Sequence, residues 1–216
     1  MTTTIRSDAS GNFGALQVNG ADVLRFGADN SGQLAGFRNI FINGEVTRIN
    51  QRGVANWAAV ANGAYGYDRW KKIDASNMTQ IVEAGNFKPS TIYTLSGVGV
   101  TTQQITSPAS GNWTLPNIPI AATYVQLEPG SIATSFENRP IQTELALCQR
   151  YYNTADTYVY AGASQGSFYS FPVRMRANPS VVGTGAGFAS SYISRDAWAG
   201  YQTAAGISTI TFSVEL

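Results

Sequence analysis

The chain has 216 residues, 44% hydrophobic and 12% charged, with 14 Lys and Arg against 13 Asp and Glu and no histidine. The balanced charge, with no block of Lys or Arg, argues against nucleic acid as a partner, and the missing histidine excludes Ser-His-Asp and Cys-His catalysis together with the commonest transition-metal ligand. A charged share about half the usual ~25% leaves net charge little part in solubility, which suggests burial of surface in an oligomer or larger assembly.

Residues 1 to about 12 read as a flexible, polar start. Next, Leu16, Val18, Val23, Leu24 and Phe26 surround Asn19-Gly20, the strongest short hairpin signal. That hairpin either pairs with copies of itself or a partner, or packs onto the following domain. A second such pair, Asn43-Gly44, opens a segment reaching about Arg139, in which short β-branched and aromatic runs alternate with turns. Strands are expected at 79–82, 92–95, 103–105, 112–115 and 123–127, a spacing that suggests a β-sandwich. One brief helix could start near Asn62.

Pro140 then introduces the clearest helix, from Ile141 to Tyr152, with Pro at its first position, Glu144 in its first turn and Arg150 near its end. Ile141, Leu145 and Cys148 form its apolar stripe, with Leu147 and Tyr151 beside it. The single cysteine excludes an intrachain disulfide, and its apolar neighbours suit a buried structural thiol. Beyond Asp156 the pattern returns to strand at 158–160, 167–173, 180–182, 188–192 and 207–214. The last run alternates strictly through Ile210, Phe212 and Val214. Tight turns are expected at the glycine cluster 183–187, which lacks the following helix of a phosphate loop.

Three stretches in this order carry a resemblance. Phe41-Ile42-Asn43-Gly44 leads to Ile49-Asn50-Gln51-Arg52-Gly53 and Tyr67-Asp68-Arg69-Trp70; the second stretch runs from Gln126-Leu127-Glu128-Pro129-Gly130 to Phe136-Glu137-Asn138-Arg139-Pro140; the third is Thr143-Glu144-Leu145 through Arg150-Tyr151-Tyr152. Over residues 40 to 216 the chain resembles the carbohydrate-binding-like modules and C-terminal heads of tailed-bacteriophage fibre and minor structural proteins. It departs from them between Trp70 and Gln126, a stretch short for a full jelly roll.

The expected architecture is therefore all-β: an N-terminal hairpin or stem for attachment to other virion proteins (1–39), a shortened jelly-roll-like β-sandwich spacer (40–140), and a short bridging helix with a C-terminal β-sandwich head (141–216). The resemblance implies a homotrimer. The expected function is a structural virion fibre protein whose head binds a host-surface glycan or receptor, the alternatives being a decoration protein of capsid or baseplate and, third, a polysaccharide depolymerase. No enzyme, cofactor or metal site is expected. A zinc site would need carboxylates alone, and the acids that a glycosidase pairs are thinly spread here. No apolar run approaches the ~20 residues that span a bilayer, and the start does not read as a signal peptide, so assembly in the host cytoplasm without membrane insertion is expected.

Arg52, Asp68 and Arg69 are expected to form a charge-assisted network beneath Trp57 and Trp70, structural unless a sugar stacks on one of those indoles. For ligand binding the candidates are Tyr169, Tyr192, Arg195, Asp196, Trp198 and Tyr201. Rings there would cover the apolar faces of a sugar, and the loop holding Arg195, Asp196 and Trp198 is the first choice.

Overall fold

The computed structural model describes residues 37–161 and 167–216 and, before them, the backbone of three strands. It is mostly β, with several small antiparallel sheets and one short helix. Thr3–Ser7 (β1), Phe13–Val18 (β2) and Ala21–Arg25 (β3) form the first sheet, in which Val18 pairs with Ala21 as the two-residue hairpin requires. The Asn19-Gly20 turn itself and the side chains expected around it lie outside the described residues. β1 occupies part of the stretch read as a flexible start.

Packing divides the chain into two units, each assembled from separate stretches. The first takes Met1–Gly44, Val82–Trp113 and Ala122–Asn138. Its main sheet is β11-β7-β8, from Ile92–Val98 (β7), Gln103–Thr106 (β8) and Thr123–Pro129 (β11). Tyr93, Leu95, Val125 and Leu127 are buried here, and Tyr93 and Phe87 both meet Trp113 edge-on.

Asn43-Gly44 does not turn a hairpin, because no strands flank it. Asn43 is fully buried in the left-handed conformation (φ 57°), and the Gly44 carbonyl accepts the Val125 amide at 2.7 Å. A Cβ on Gly44 would lie 2.5 Å from the Val125 oxygen, so close approach to β11 is what the glycine provides. The carboxamide of Asn39 completes the join. Its Oδ1 accepts the Phe41 and Leu127 amides and its Nδ2 donates to the Val125 carbonyl.

The loop after β11 closes on acidic side chains. Buried Glu128 accepts the Thr134 amide and hydroxyl at 2.6 Å each, and the Glu137 carboxylate accepts the amides of Phe37 and Asn39. Of the stretch from Gln126 to Glu137 that carries part of the resemblance, Gln126–Pro129 is thus the end of β11 and the remainder is a loop held by these hydrogen bonds.

The second unit takes Glu45–Ile81, Thr114–Ala121 and Arg139–Leu216. Lys71–Lys72 (β4), Asn77–Thr79 (β5) and Ile118–Pro119 (β10) make one sheet of it, whereas Ile81–Val82 (β6) and Trp113–Thr114 (β9), which form a two-stranded ladder, each have one residue in either unit. Where a helix was expected near Asn62, a single 3-10 turn covers Trp57–Ala59 and turns follow it.

The helix α1 spans Ile141–Gln149, with Pro140 just outside it at the cap (ψ 140°). Its apolar stripe is displaced from expectation: Cys148 is buried but Ile141 is exposed, because the buried face also holds Glu144, paired with buried Arg139 at 3.3 Å. Tyr152, read as helix, begins the next strand.

Two three-stranded sheets follow. One is β12-β17-β14, from Tyr152–Val159 (β12), Ser180–Gly183 (β14) and Gly206–Ser213 (β17); the other is β13-β16-β15, from Ser167–Ser170 (β13), Ala189–Ile193 (β15) and Ala197–Tyr201 (β16). Val159, Ile210 and Phe212 of the first and Trp198 of the second share one apolar cluster with Phe171, Met175 and Val214.

Candidate functional site

The sheet β13-β16-β15 contains the residues expected to bind a ligand, but not as a loop. Ala197–Tyr201 is its central strand, and only Arg195-Asp196 occupies the hairpin turn before it. Alanine at 197 and 199 and glycine at 200 interrupt the apolar signal of this strand, so its alternation is hidden in the sequence. Ser194 closes the turn, its hydroxyl oxygen accepting the amides of Asp196 and Ala197. Arg195 Nε donates to the Met175 carbonyl at 2.9 Å, and exposed Asp196 faces Arg174 at 3.6 Å.

Register decides which rings face water. Trp198 pairs with Tyr169 across the sheet on the core side. Trp198 is fully buried, stacks on Phe188 at 5.5 Å between centroids, and donates its Nε1–H to Ser190 Oγ at 2.8 Å. Tyr169 stacks on Phe212 at 5.6 Å. Trp198 therefore presents no open face, while Tyr169 packs against the core partly buried.

On the opposite side, Phe168 and Tyr192 both pair with Ala199, from the two neighbouring strands. Phe168 is 64% exposed and Tyr192 54% exposed, with small Ala199 between them. Neighbouring strands lie about 4.8 Å apart, so the two aromatic residues rise from strands roughly 10 Å apart over a low floor. Half-buried Tyr201 stands two residues along the central strand, on the same side.

A β-bulge places Tyr192 there. Ser190 pairs with Gly200 but Tyr192 pairs with Ala199, which leaves Ser191 as the extra residue. Without it Tyr192 would fall opposite Trp198 and point into the core. Of the polar residues flanking these rings, Ser191 is exposed, Ser167 and Gln202 are buried and Gln165 lies outside the described residues. Phe168, on the exposed row, was recognisable from sequence only as an aromatic near a turn.

The other expected constellation is brought together around Glu215. Arg69, almost fully buried with left-handed backbone (φ 69°), pairs with the Glu215 carboxylate and donates through Nη2 to the Ile81 carbonyl at 2.7 Å. Arg52 reaches the other Glu215 oxygen at 3.1 Å. The two guanidiniums lie over tyrosine rings, Arg69 at 3.6 Å from the centroid of Tyr151 and Arg52 at 3.7 Å from that of Tyr152.

Asp68 accepts the Gln51 amide at 2.6 Å and the Gln51 Nε2–H at 2.8 Å, and the same Nε2 donates to the Tyr152 carbonyl. Burial pushes its carboxyl above the ordinary aspartate range, against the pull of the Gln51 donors and of Arg52. The Tyr65 hydroxyl donates to the Leu216 carbonyl, and burial, with Glu215 beside it, raises that phenol. Burial likewise pushes the Cys148 thiol well up, with Asp68 and Glu144 adding to the effect.

Trp70 is fully buried, and Trp57 meets Tyr67 edge-on at 5.2 Å. The loop around Trp57 is held by Lys72, whose Nζ donates to the Trp57 and Val60 carbonyls at 2.8 Å each. Every polar group named in this cluster is turned inward onto protein, an arrangement that fastens chain segments. No group of three or more His, Cys, Asp or Glu able to hold a metal occurs among the described residues, and no helix there is long and apolar enough to cross a membrane. No protein-family model, curated protein or solved structure matches this chain.

Proposed function

We propose that this chain is a non-catalytic structural subunit of a tailed-bacteriophage virion, a fibre protein that meets a host-surface glycan through its C-terminal sheets. In this reading it assembles as a homotrimer in the host cytoplasm, attaches to other virion proteins through its N-terminal segment, and uses a shortened jelly-roll-like module as spacer. No cofactor or metal takes part.

The observation that carries the reading is the exposed row of Phe168, Ala199 and Tyr192. Flat rings standing over a small residue can cover the apolar face of a sugar, while the Tyr192 and Ser191 hydroxyls can meet its hydroxyl groups. One shallow row gives modest affinity per copy, which several copies on a particle would raise by avidity. The 12% charged composition supports the assembly part of the reading.

Adsorption of particles carrying Phe168→Ala with Tyr192→Ala tests it. Binding to host cells should fall while the melting temperature of the isolated protein stays near wild type. Normal adsorption by the double variant would remove the glycan role from this face. Normal adsorption by particles lacking the protein would favour a decoration protein, and release of oligosaccharides from host polysaccharide would overturn the non-catalytic assignment.

A further inference from the structure

Strand register sorts the sheet β12-β17-β14 into two unlike faces. The core face carries Val159, Ile210 and Phe212. On the other, Tyr158 stands opposite Ile207, Asp156 opposite Thr209, and Thr154, Thr211 and Val182 share one row. Ile207 is 78% exposed, Val182 65% and Tyr158 51%. Scattered apolar residues on a surface are ordinary, but three grouped on one small sheet face mark a contact site.

The chemistry of the face selects its occupant. Among the outward residues named, Asp156 alone is charged, and its Oδ1 already accepts the Thr209 hydroxyl at 2.6 Å. A phosphate backbone, an ionic headgroup or a charged peptide therefore finds no ionic match. A neutral mosaic of branched carbons and hydroxyls is best met by another such mosaic. We infer that this face is a contact surface for a second copy of this chain.

Its extent sets the strength of the contact. Two strands of eight residues and one of four, at about 3.3 Å per residue and about 4.8 Å between strands, cover on the order of 320 Å² in plan. That is about two fifths of the ~800 Å² per partner in a standard interface. The face therefore joins copies weakly by itself and works alongside other surfaces in a multi-copy assembly.

This inference rests on the self-association part of the proposed function, and sedimentation of the full chain over a range of concentrations separates the two. Wild type should form oligomers. Ile207→Asp and Val182→Asp should raise the dissociation constant about tenfold or more. Ile207→Thr, which keeps a β-branched side chain, should raise it less and stands in for Ile207→Asp if that variant loses its native circular dichroism. Wild type that stays monomeric throughout would overturn both the face and the self-association. Oligomers undiminished in the folded variants would overturn the face alone, leaving association to another surface.

Discussion

Asp68 combines a fully buried carboxylate with donors from Gln51, and burial outweighs them, so its proton is held more tightly in the native state than in the unfolded chain. The sign of the pH dependence follows from that direction. The stability this group contributes is complete below its unfolded value of about 3.9 and is lost as pH rises through the elevated native value. Asp68→Asn is neutral at every pH and resembles the protonated acid in shape. Its melting temperature relative to wild type should therefore be more favourable at pH 7 than at pH 3.5. A difference that is flat with pH, or reversed, would contradict the assignment. That Arg52, Asp68 and Arg69 belong together was legible in the sequence, since charges among aromatics require partners. Their acidic partner was not: Glu215 lies 146 residues beyond Arg69 and nothing local marks it.

Among the elements, legibility followed the strength of local pattern. The alternation of β17 was readable because Ile210, Phe212 and Val214 line a buried face, whereas β16 was hidden by its small residues. The outward side of Tyr192 depends on a bulge that only the partner strand defines. Asn43-Gly44 misled because the same dipeptide that turns a hairpin also allows one backbone to approach another. At Gly44 the structure makes a sharp distinction between space and strain. An added Cβ would meet backbone oxygen at 2.5 Å and also crowd Asn39 Nδ2 at 2.9 Å, where the carboxamide holds β11. Gly44→Ala should destabilise by about 1–3 kcal/mol through overpacking. Gly206→Ala is the control, since the nearest atom to its Cβ is the Gln202 side chain at 3.7 Å. Urea denaturation that finds the two variants equally stable would refute this account of Gly44.

For the whole molecule, the second unit shows why residues 141–216 should not fold as an independent head. The Glu215 carboxylate is held by Arg52 and Arg69, the rings of Tyr151 and Tyr152 lie under those guanidiniums, and the Tyr152 carbonyl is met by Gln51. Each of these partners comes from 45–81, a stretch that precedes α1 in sequence but shares its unit. A fragment beginning at Ile141 keeps both C-terminal sheets yet loses every one of these contacts. Its tyrosines would be uncovered and Glu215 left without its arginines. Removing one partner of a buried ion pair costs about 3–5 kcal/mol, comparable with the ~5–15 kcal/mol that stabilises a typical domain, and here several contacts go together. The fragment should therefore lack a cooperative thermal transition and near-ultraviolet dichroism, while the full chain has both. A fragment that melts cooperatively near the temperature of the full chain would mean that the Glu215 cluster is not needed to hold the two C-terminal sheets together.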